Sequence, residues 1–308
     1  MSRFRFPAHP TSLIDVKRRM AYRMYVLTFD IEEWFHILDN EATRTQSQWE
    51  RFESRVEGGV ARILDLLAKH DVPATFFCLG WVAQRHPRLI KRISQAGYEV
   101  GSHSYAHQLA YEQTPQDFRK DLDLSVKVLS DMTGQRVRMY RAPGFSVTSN
   151  NAWTLEALLE GGIEIDSSIF PASRAHGGFI DFDAAEPVLV QTPSGILKEF
   201  PMNVAHLAGR RVVFSGGGYF RILPYWLIRH LVERSNYVMT YFHPRDFDPQ
   251  QGLVPGLGYV RRFKSYYGLR GALEKLDHLL SNFSFVDLRS ADASVDWNSA
   301  RTVVARAG

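Results

Sequence analysis

Short apolar runs alternate along the chain with longer segments whose apolar residues recur at helical spacing. The apolar runs are rich in β-branched and aromatic residues and predict strands at 25–29, 74–79, 98–101, 137–140, 163–166, 188–191 and 237–242. The periodic segments predict helices at 56–69, 87–95, 115–132, 150–159, 224–234 and 269–280. Strands that alternate with helices indicate parallel βα units, and their number favours a barrel over two domains.

Two further segments carry weaker patterns. Residues 1–21 show no clear periodicity and are predicted to form an N-terminal arm. Residues 206–220 contain three consecutive glycines and are predicted to form a long loop. No Lys-Ser/Thr pair follows these glycines, so a phosphate-binding loop is not indicated.

Composition narrows the class of protein. The chain has 308 residues, of which 45% are hydrophobic, so it can bury a substantial core. The net charge of +4 is dispersed, and no basic stripe for nucleic acid is visible. The single cysteine, Cys78, lies in an apolar run and is expected to be a buried structural thiol. No window is long and apolar enough for a membrane span or a secretory signal, so a cytoplasmic location is expected.

Polar residues follow several predicted strands at their carboxyl ends. In α/β barrels these ends meet at one mouth, where functional groups lie. The residues concerned are Asp30, Glu32, Glu33, His103, His107, Arg141, Asp166 and His243. Each has an ordinary explanation, such as a cap, an ion pair or a core histidine. Their joint position at strand ends favours a reactive centre.

The spacing of two histidines indicates a metal site. His103 and His107 are four residues apart in HSYAH, which would place both imidazoles on one side of a helical turn. The carboxylates that follow the first strand are the best candidates for a third ligand. Two histidines and a carboxylate suit zinc or another divalent transition metal ion.

Hydrolysis at such a metal would require a base and an acid. Asp30 is a candidate base, and Arg141 could keep it ionised and oriented. His243 is a candidate acid because imidazole titrates near neutrality. Gly144, in the stiff RAPGF loop, could turn a backbone N–H toward a developing oxyanion.

Five motifs together resemble the polysaccharide deacetylases of the NodB-homology type, carbohydrate esterase family 4. They are TFDIEEWFH (28–36), ATFFCLGWVA (74–83), GYEVGSHSYAH (97–107), RAPGFS (141–146) and YFHP (241–244). The resemblance implies an α/β fold, an irregular (β/α)7 barrel. The part after residue 245 is similar to the C-terminal extension of a subgroup associated with exopolysaccharide and exosortase systems. The resemblance thus implies one catalytic domain over 22–290, with an extension at 245–290 and a tail at 291–308.

The family's reaction is metal-assisted hydrolysis of the acetamide of N-acetylhexosamine units, which releases acetate. By matching motif, Asp30 corresponds to the catalytic base and Arg141 to the arginine that orients it. His103 and His107 match the metal-binding pair, and His243 matches the general acid. The implied cofactor is one divalent ion, zinc first, with cobalt, nickel and iron open.

The first motif departs from the commoner family pattern. Ile31 stands where that pattern has an aspartate that binds the metal. Some family branches have an acid–any–acid arrangement instead, which points to Glu32. Alternation in an extended chain agrees, because it puts Asp30 and Glu32 on one side. Glu32 is therefore the expected ligand, with Glu33 as the alternative.

The substrate contacts are less well marked. Gly144 and Phe145 are expected to touch substrate, and Phe170 to form an apolar wall for the acetyl methyl group. The family's tryptophan-bearing motif is not recognisable around Asp166, which is expected only to line the mouth. His36 receives no role.

The expected partner is an N-acetylated oligosaccharide or polysaccharide. A lipid-linked precursor at the inner membrane face is one hypothesis, based on the missing signal and on two basic patches, at residues 17–19 and 261–262. The oligomeric state stays open. Two alternatives compete with the deacetylase. A cyclic-amide hydrolase resembling the metal-independent allantoinases is disfavoured by the retained histidine pair and Glu32. An inactive carbohydrate-binding module is disfavoured by the complete set of base, acid and arginine.

Overall fold

The computed structural model of the chain describes residues 23–172, 176–207 and 210–304. The arm predicted at 1–21 lies outside these residues. In chain order the strands are β1 (Met24–Val26), β2 (Thr28–Ile31), β3 (Thr75–Cys78), β4 (Glu99–Ser102), β5 (Met139–Tyr140), β6 (Ile165–Asp166), β7 (Val188–Thr192), β8 (Gly195–Glu199), β9 (Ala205–Leu207), β10 (Arg210–Val212), β11 (Tyr237–Met239) and β12 (Thr302–Val304).

Helices occupy most of the connections between these strands. They are α1 (Gln46–Trp49), α2 (Val56–His70), α3 (Gly80–Arg85), α4 (Pro87–Gln95), α5 (Pro115–Thr133), α6 (Trp153–Glu160), α7 (Gly217–Ile222), α8 (Tyr225–Glu233), α9 (Tyr259–Tyr266), α10 (Leu269–Asn282) and α11 (Leu288–Ser294). Short 3-10 turns lie at Glu41–Thr43, Ala110–Glu112, Pro143–Phe145, Ser149–Asn151 and Pro244–Phe247. No helix in the described parts of the chain is long and apolar enough to cross a membrane.

Parallel strands form the main sheet. β2, β3, β4, β5 and β6 lie side by side in chain order, and β8 follows β6 in the same direction. β7 pairs with β8 as an antiparallel hairpin, and β12 adds to the outer edge of β7. The parallel order places the carboxyl ends of β2 to β6 on one side of the sheet.

The sheet closes on itself through β11. β1 pairs in parallel with β11, and Phe29 on β2 forms a bridge to Phe242 beyond β11. On the other side of β11 a side chain contributes to the seam: Asn203 Oδ1 accepts a hydrogen bond of 2.9 Å from the N–H of Met239. Seven strand positions, with β1 and β2 counted as one, therefore close a barrel. The predicted irregular (β/α)7 barrel is confirmed.

Local sequence explains the boundaries of the outer helices. α5 begins at Pro115 after Thr114, whose hydroxyl accepts the N–H of Asp117, and it ends at Gly134, which has φ +68°. α2 turns its apolar stripe, which includes Ile63, toward the barrel, where it is fully buried. The helices thus cover the sheet as the periodicity predicts.

The structure corrects the sequence reading in two regions. The loop predicted at 206–220 contains the end of the β9–β10 hairpin and the start of α7. The tail predicted at 291–308 includes the end of α11 and β12, which pairs with β7. α7, β9, β10 and β12 are only three to six residues long, so they give too few positions for a period to show.

A glycine on α2 allows this helix to approach the turn that carries His243. A Cβ at Gly59 would lie 2.6 Å from the Cβ of Pro244, far inside van der Waals contact. We expect Gly59→Ala to lower the free energy of unfolding by about 1–3 kcal/mol through overpacking. Denaturant unfolding followed by circular dichroism measures this.

The neighbouring glycine provides a matched control. A Cβ at Gly58 would meet only Arg62 Nη1, at 3.8 Å. Gly58→Ala should raise stability by up to about 1 kcal/mol, because alanine is the better helix former. Equal effects of the two substitutions would contradict the close packing of Gly59 on Pro244.

Candidate metal and active site

The carboxyl ends of the strands open into a cavity of about 940 Å³. Asp30 lies on β2 and Glu32 directly after it, whereas His103 and His107 follow β4 and His243 follows β11. All five side chains line the cavity. The structure thus brings together, at one mouth, residues that are far apart in the chain.

Three of these residues form a cluster suited to a metal ion. Ligand atoms of Glu32, His103 and His107 all lie within 4.8 Å of one another. Glu32 Oε2 is 2.5 Å from His107 Nε2, yet this buried oxygen receives no hydrogen bond. A buried carboxylate oxygen without a donor is costly, and a cation among these atoms would remove that cost. The donor set of two histidines and one carboxylate fits a divalent transition metal ion.

The ring of His103 is oriented by the backbone. Its Nδ1 lies 2.8 Å from the carbonyl oxygen of Arg141, which can only accept, so Nδ1 carries the hydrogen. The lone pair of Nε2 is therefore available to a metal. Such a hydrogen bond from the second ring nitrogen is the usual way in which proteins orient a metal-binding histidine.

The two histidines do not converge through a helical turn, so that prediction was wrong. Ser104 and His107 instead have positive φ angles of 67° and 53°, and the segment is a tight bend. Ser104 Oγ accepts the N–H of His107 at 3.0 Å. Asp121 on α5 accepts the N–H groups of Tyr105 and Ala106 at 2.7 and 2.9 Å. These bonds hold the bend in a conformation that non-glycine residues rarely adopt.

Arg141 is fully buried beneath Asp30. Its Nη1 donates to Asp30 Oδ1 at 2.9 Å and to Thr28 Oγ1 at 2.6 Å, and its Nη2 donates to Ser167 Oγ at 2.9 Å. The guanidinium also lies over the ring of Phe77, 4.3 Å from its centre. This ion pair fixes one oxygen of Asp30 and leaves Oδ2 facing the cavity side, toward His243.

His243 is oriented in a similar way by a carboxylate. Its Nδ1 lies 3.0 Å from Asp246 Oδ2, and Arg221 Nε donates to the other oxygen of Asp246 at 2.9 Å. His243 Nε2 then lies 3.8 Å from Asp30 Oδ2 and 3.7 Å from Glu32 Oε1. The imidazole thus faces both the candidate base and the candidate metal ligand.

Burial and neighbouring charges give the histidines opposite protonation preferences. Burial lowers the pKa of His103 to about 4, which keeps the ring neutral and able to bind a metal. Burial also opposes a charged His243, but Glu32 and Asp246 outweigh it and raise the pKa of this histidine. For Glu32 burial is outweighed by His107 and His243, which hold its pKa well below the usual range.

Glu33, the alternative ligand, faces away from the cluster. It is fully buried, receives a hydrogen bond from the Ser54 hydroxyl, and accepts the N–H of Arg55 at 3.1 Å. Burial nevertheless raises its pKa. Glu33 thus anchors the segment before α2, and Glu32 is the carboxylate that reaches the histidines.

The predicted substrate contacts divide into two groups. Gly144 and Phe145 line the cavity, and both have positive φ angles, 62° and 54°. Phe170 and Asp166 do not line it and are almost fully buried, so the prediction that they form part of the mouth is corrected. Phe170 packs behind Phe145, with ring centres 5.6 Å apart.

Asp166 belongs to the barrel wall. It lies opposite Glu199 in the pairing of β6 with β8, and both carboxyl groups are fully buried. Ser168 Oγ donates to Asp166 Oδ1 at 2.5 Å. Burial raises the pKa of Asp166 to about 6 and that of Glu199 further above its ordinary value. The pair therefore favours a protonated form, which explains how two carboxyls can share a dry position.

Sequence reasoning missed three residues of the site. His36 and Arg245 line the cavity, and Asp246 orients the candidate acid. The spacing of His243 and Asp246 in HPRD is compatible with a capping contact and could have revealed Asp246. No local pattern links residues 36 and 245, because their proximity depends on closure of the barrel.

Sequence comparison identifies the chain's relatives. A family described as polysaccharide deacetylase matches residues 17–160, and a domain of unknown function, DUF3473, matches residues 167–293. The chain carries a polysaccharide deacetylase domain of the NodB type. The first region contains Asp30, Glu32 and the histidine pair, whereas His243 lies in the second.

Curated relatives of the deacetylase domain include two bacterial enzymes. A peptidoglycan-N-acetylglucosamine deacetylase of Bacillus cereus is 31% identical over 96 residues, 31% of this chain and 35% of the relative. A peptidoglycan-N-acetylmuramic acid deacetylase of Bacillus subtilis is 32% identical over 108 residues, 35% of this chain and 41% of the relative. The matched region spans well under half the length of these relatives.

A solved structure shares the fold over nearly the whole chain. It is a Mycobacterium smegmatis protein described as a candidate polysaccharide deacetylase. It is 21% identical, has a TM-score of 0.61, and the match covers 97% of this chain and 98% of that one. The likeness therefore supports the fold of the deacetylase domain together with the region that follows it.

The geometry of the cluster predicts which residues hold a metal. Purified wild-type protein should retain about one divalent ion per chain after dialysis, whereas Glu32→Ala and His103→Ala should retain little, because each removes one of three ligands. Elemental analysis measures the content. His278→Ala is the control, since this imidazole is 59% exposed and lies on α10. Full metal content in both ligand variants would contradict the cluster.

Proposed function

We propose that the protein is a metal-dependent polysaccharide N-deacetylase that hydrolyses the acetamide of N-acetylhexosamine units. The observation that carries the proposal is the convergence of the Glu32–His103–His107 cluster with Asp30 and His243 in one cavity. A metal held there would polarise the acetamide carbonyl and acidify a bound water molecule.

Asp30 is the proposed general base. The ion pair with Arg141 fixes Oδ1 of its carboxylate, and Oδ2 is the oxygen that takes a proton from the attacking water. Removing that proton produces the hydroxide equivalent that adds to the carbonyl carbon. The buried guanidinium holds Asp30 in place while its charge changes.

His243 is the proposed general acid. Its Nδ1 faces Asp246, and its raised pKa favours the imidazolium, so Nε2 can carry a proton toward the leaving nitrogen. Transfer of this proton lets the C–N bond break, with acetate and a free amine as products. His243 Nε2 lies 3.8 Å from Asp30 Oδ2, which supports the proposal that acid and base act on one reacting group.

The loop after Arg141 provides the remaining contacts. The N–H groups of Phe145 and Ser146 donate within the loop, to Ala142 and Pro143. We assign the oxyanion contact to the N–H of Gly144, which lines the cavity. Phe145 packs on Tyr241 at a ring-centre distance of 5.0 Å, and together they supply an apolar wall for the acetyl methyl group.

The competing readings differ in measurable ways. A metal-independent cyclic-amide hydrolase has no use for a buried carboxylate that faces two histidines without a donor. A carbohydrate-binding module requires neither the Arg141–Asp30 pair nor the oriented His243. Both features therefore support hydrolysis of a linear amide over these alternatives.

We propose exopolysaccharide assembly at the inner face of a membrane as the setting, with a lipid-linked glycan as substrate. A surface of α9 supports this proposal. Tyr259, Val260 and Phe263 are 93%, 70% and 53% exposed, beside the basic Arg262 and Lys264. α9 buries none of its residues, and Val260 and Lys264 also line the cavity. Exposed aromatic and basic groups on one short helix suit an anionic lipid surface.

Substitution of the proposed acid and base should abolish turnover while the metal stays bound. We expect His243→Ala and Asp30→Asn to reduce acetate release from N-acetylglucosamine oligomers by about 10²-fold or more. Acetate is quantified enzymatically on samples of known metal content, with His278→Ala as control. Undiminished release by either metal-loaded variant would remove that residue from the mechanism.

The α9 surface predicts lipid binding that depends on both charge and apolar contact. The protein should sediment with vesicles that contain phosphatidylglycerol and less with pure phosphatidylcholine, and added salt should weaken the binding. Tyr259→Ser/Phe263→Ser should lose most of it. Ile196→Ser is the matched control, because Ile196 is 51% exposed on β8. Equal binding by the double variant and the control would contradict the assignment.

A further inference from the structure

Two buried hydrogen-bond donors line the cavity without an acceptor. His36 Nε2 and Arg245 Nη2 are both inaccessible to solvent, and neither has a hydrogen-bond partner among the described residues. Buried polar groups are nearly always paired, and an exception calls for an explanation. The candidate mechanism uses neither side chain.

The hydrogen on His36 can be assigned from its other nitrogen. Nδ1 lies 3.2 Å from the backbone N–H of Glu33, which can only donate, so Nδ1 accepts and Nε2 carries the hydrogen. The ring is held between Trp49 and Trp81, with ring centres 4.3 and 5.2 Å away. The donor is therefore fixed in position.

His36 lies beside the metal cluster. Its ring is roughly parallel to that of His107, at 28° and 5.6 Å between centres. Arg245 lines the same cavity, and its Nη2 is buried there. Both residues thus line the cavity that contains the cluster.

Three cationic side chains of the cavity lining lack a close carboxylate partner. Among the described residues, Arg245, Arg261 and Lys264 have no carboxylate within 4.0 Å, although all three line the cavity. The four carboxylates of the lining lie beside other groups: Asp30 beside Arg141, Asp246 beside Arg221, Asp39 beside His176 and Glu32 beside His107. Arg245 and Lys264, which have no ion pair among the described residues, are therefore the cations available to an anionic group.

We propose that His36 and Arg245 form a subsite for an acidic group of the glycan, with Arg261 and Lys264 at its rim. The proposal rests on the deacetylase function and names its substrate class: an N-acetylated saccharide that carries a carboxylate or a phosphate. Arginine suits such a group because its planar guanidinium donates two parallel hydrogen bonds to it. His36 supplies a neutral donor, so its side chain binds the anion without adding a positive charge of its own beside the metal site.

The test compares acidic and neutral saccharides of similar size on metal-loaded protein. A hyaluronan tetrasaccharide, which contains glucuronate, is set against N,N',N'',N'''-tetraacetylchitotetraose for the carboxylate. N-acetylglucosamine 1-phosphate is set against N-acetylglucosamine for the phosphate. Calorimetry gives each Kd at low and high salt. We expect at least one acidic ligand to bind about tenfold tighter than its neutral partner, and less so at high salt.

Three variants assign the preference to named atoms. Arg245→Gln should bring the acidic-to-neutral ratio close to one. His36→Phe should reduce it, and His36→Gln should restore part of it, because the glutamine amide can donate near the position of Nε2. Arg270→Gln, an exposed arginine outside the cavity, should keep the wild-type ratio.

The outcomes separate this proposal from the proposed function. Acetate release from the neutral oligomer without any acidic preference would overturn the subsite and leave the deacetylase intact. A preference that survives in Arg245→Gln would overturn it as well. Loss of acetate release from every saccharide, with acidic preference retained in binding, would instead refute the deacetylase. The two pairs of ligands decide whether the group is a carboxylate or a phosphate.

Discussion

The buried ion pair of Arg141 with Asp30 is the constraint on which the site depends. A fully buried guanidinium must have nearly all its donors satisfied. Here the acceptors are the Asp30 carboxylate, the Thr28 hydroxyl, and the carbonyl and hydroxyl oxygens of Ser167. The carbonyl oxygen of Arg141 also fixes the ring of His103. Arg141, directly after β5, therefore orients both the candidate base and a candidate metal ligand. A shift in its position would displace both side chains.

The metal cluster and the acid are held by carboxylates and carbonyls rather than by tight apolar packing alone. Asp121 shapes the bend before His107, and Asp246 fixes the tautomer of His243. These supporting groups hold the candidate ligand side chains in place. Glu32 Oε2 can therefore stay buried without a hydrogen-bond partner among the described residues. The side chains of the candidate site are thus held in fixed positions by their own hydrogen bonds.

Much of this arrangement could be predicted from the sequence, because a parallel barrel brings the carboxyl ends of strands that are far apart in the chain to one mouth. Asp30, the histidine pair and His243 follow from that rule. The rule fails where a conformation depends on a contact outside the local sequence. The bend at Ser104 depends on Asp121 in α5, and Asp166 lies in the barrel wall opposite Glu199. The proximity of His36 and Arg245 also escapes any local pattern, since it arises only when β11 closes against β1 and β2.

The closure of the barrel joins two stretches that sequence comparison separates. Residues 17–160 supply the first strands with the metal cluster, and residues 167–293 supply β7, β8, β11 and His243. The domain of unknown function is then no accessory module but the second half of one barrel. A gene that inherited either stretch alone would encode an open sheet with unpaired edges and an incomplete set of reacting groups.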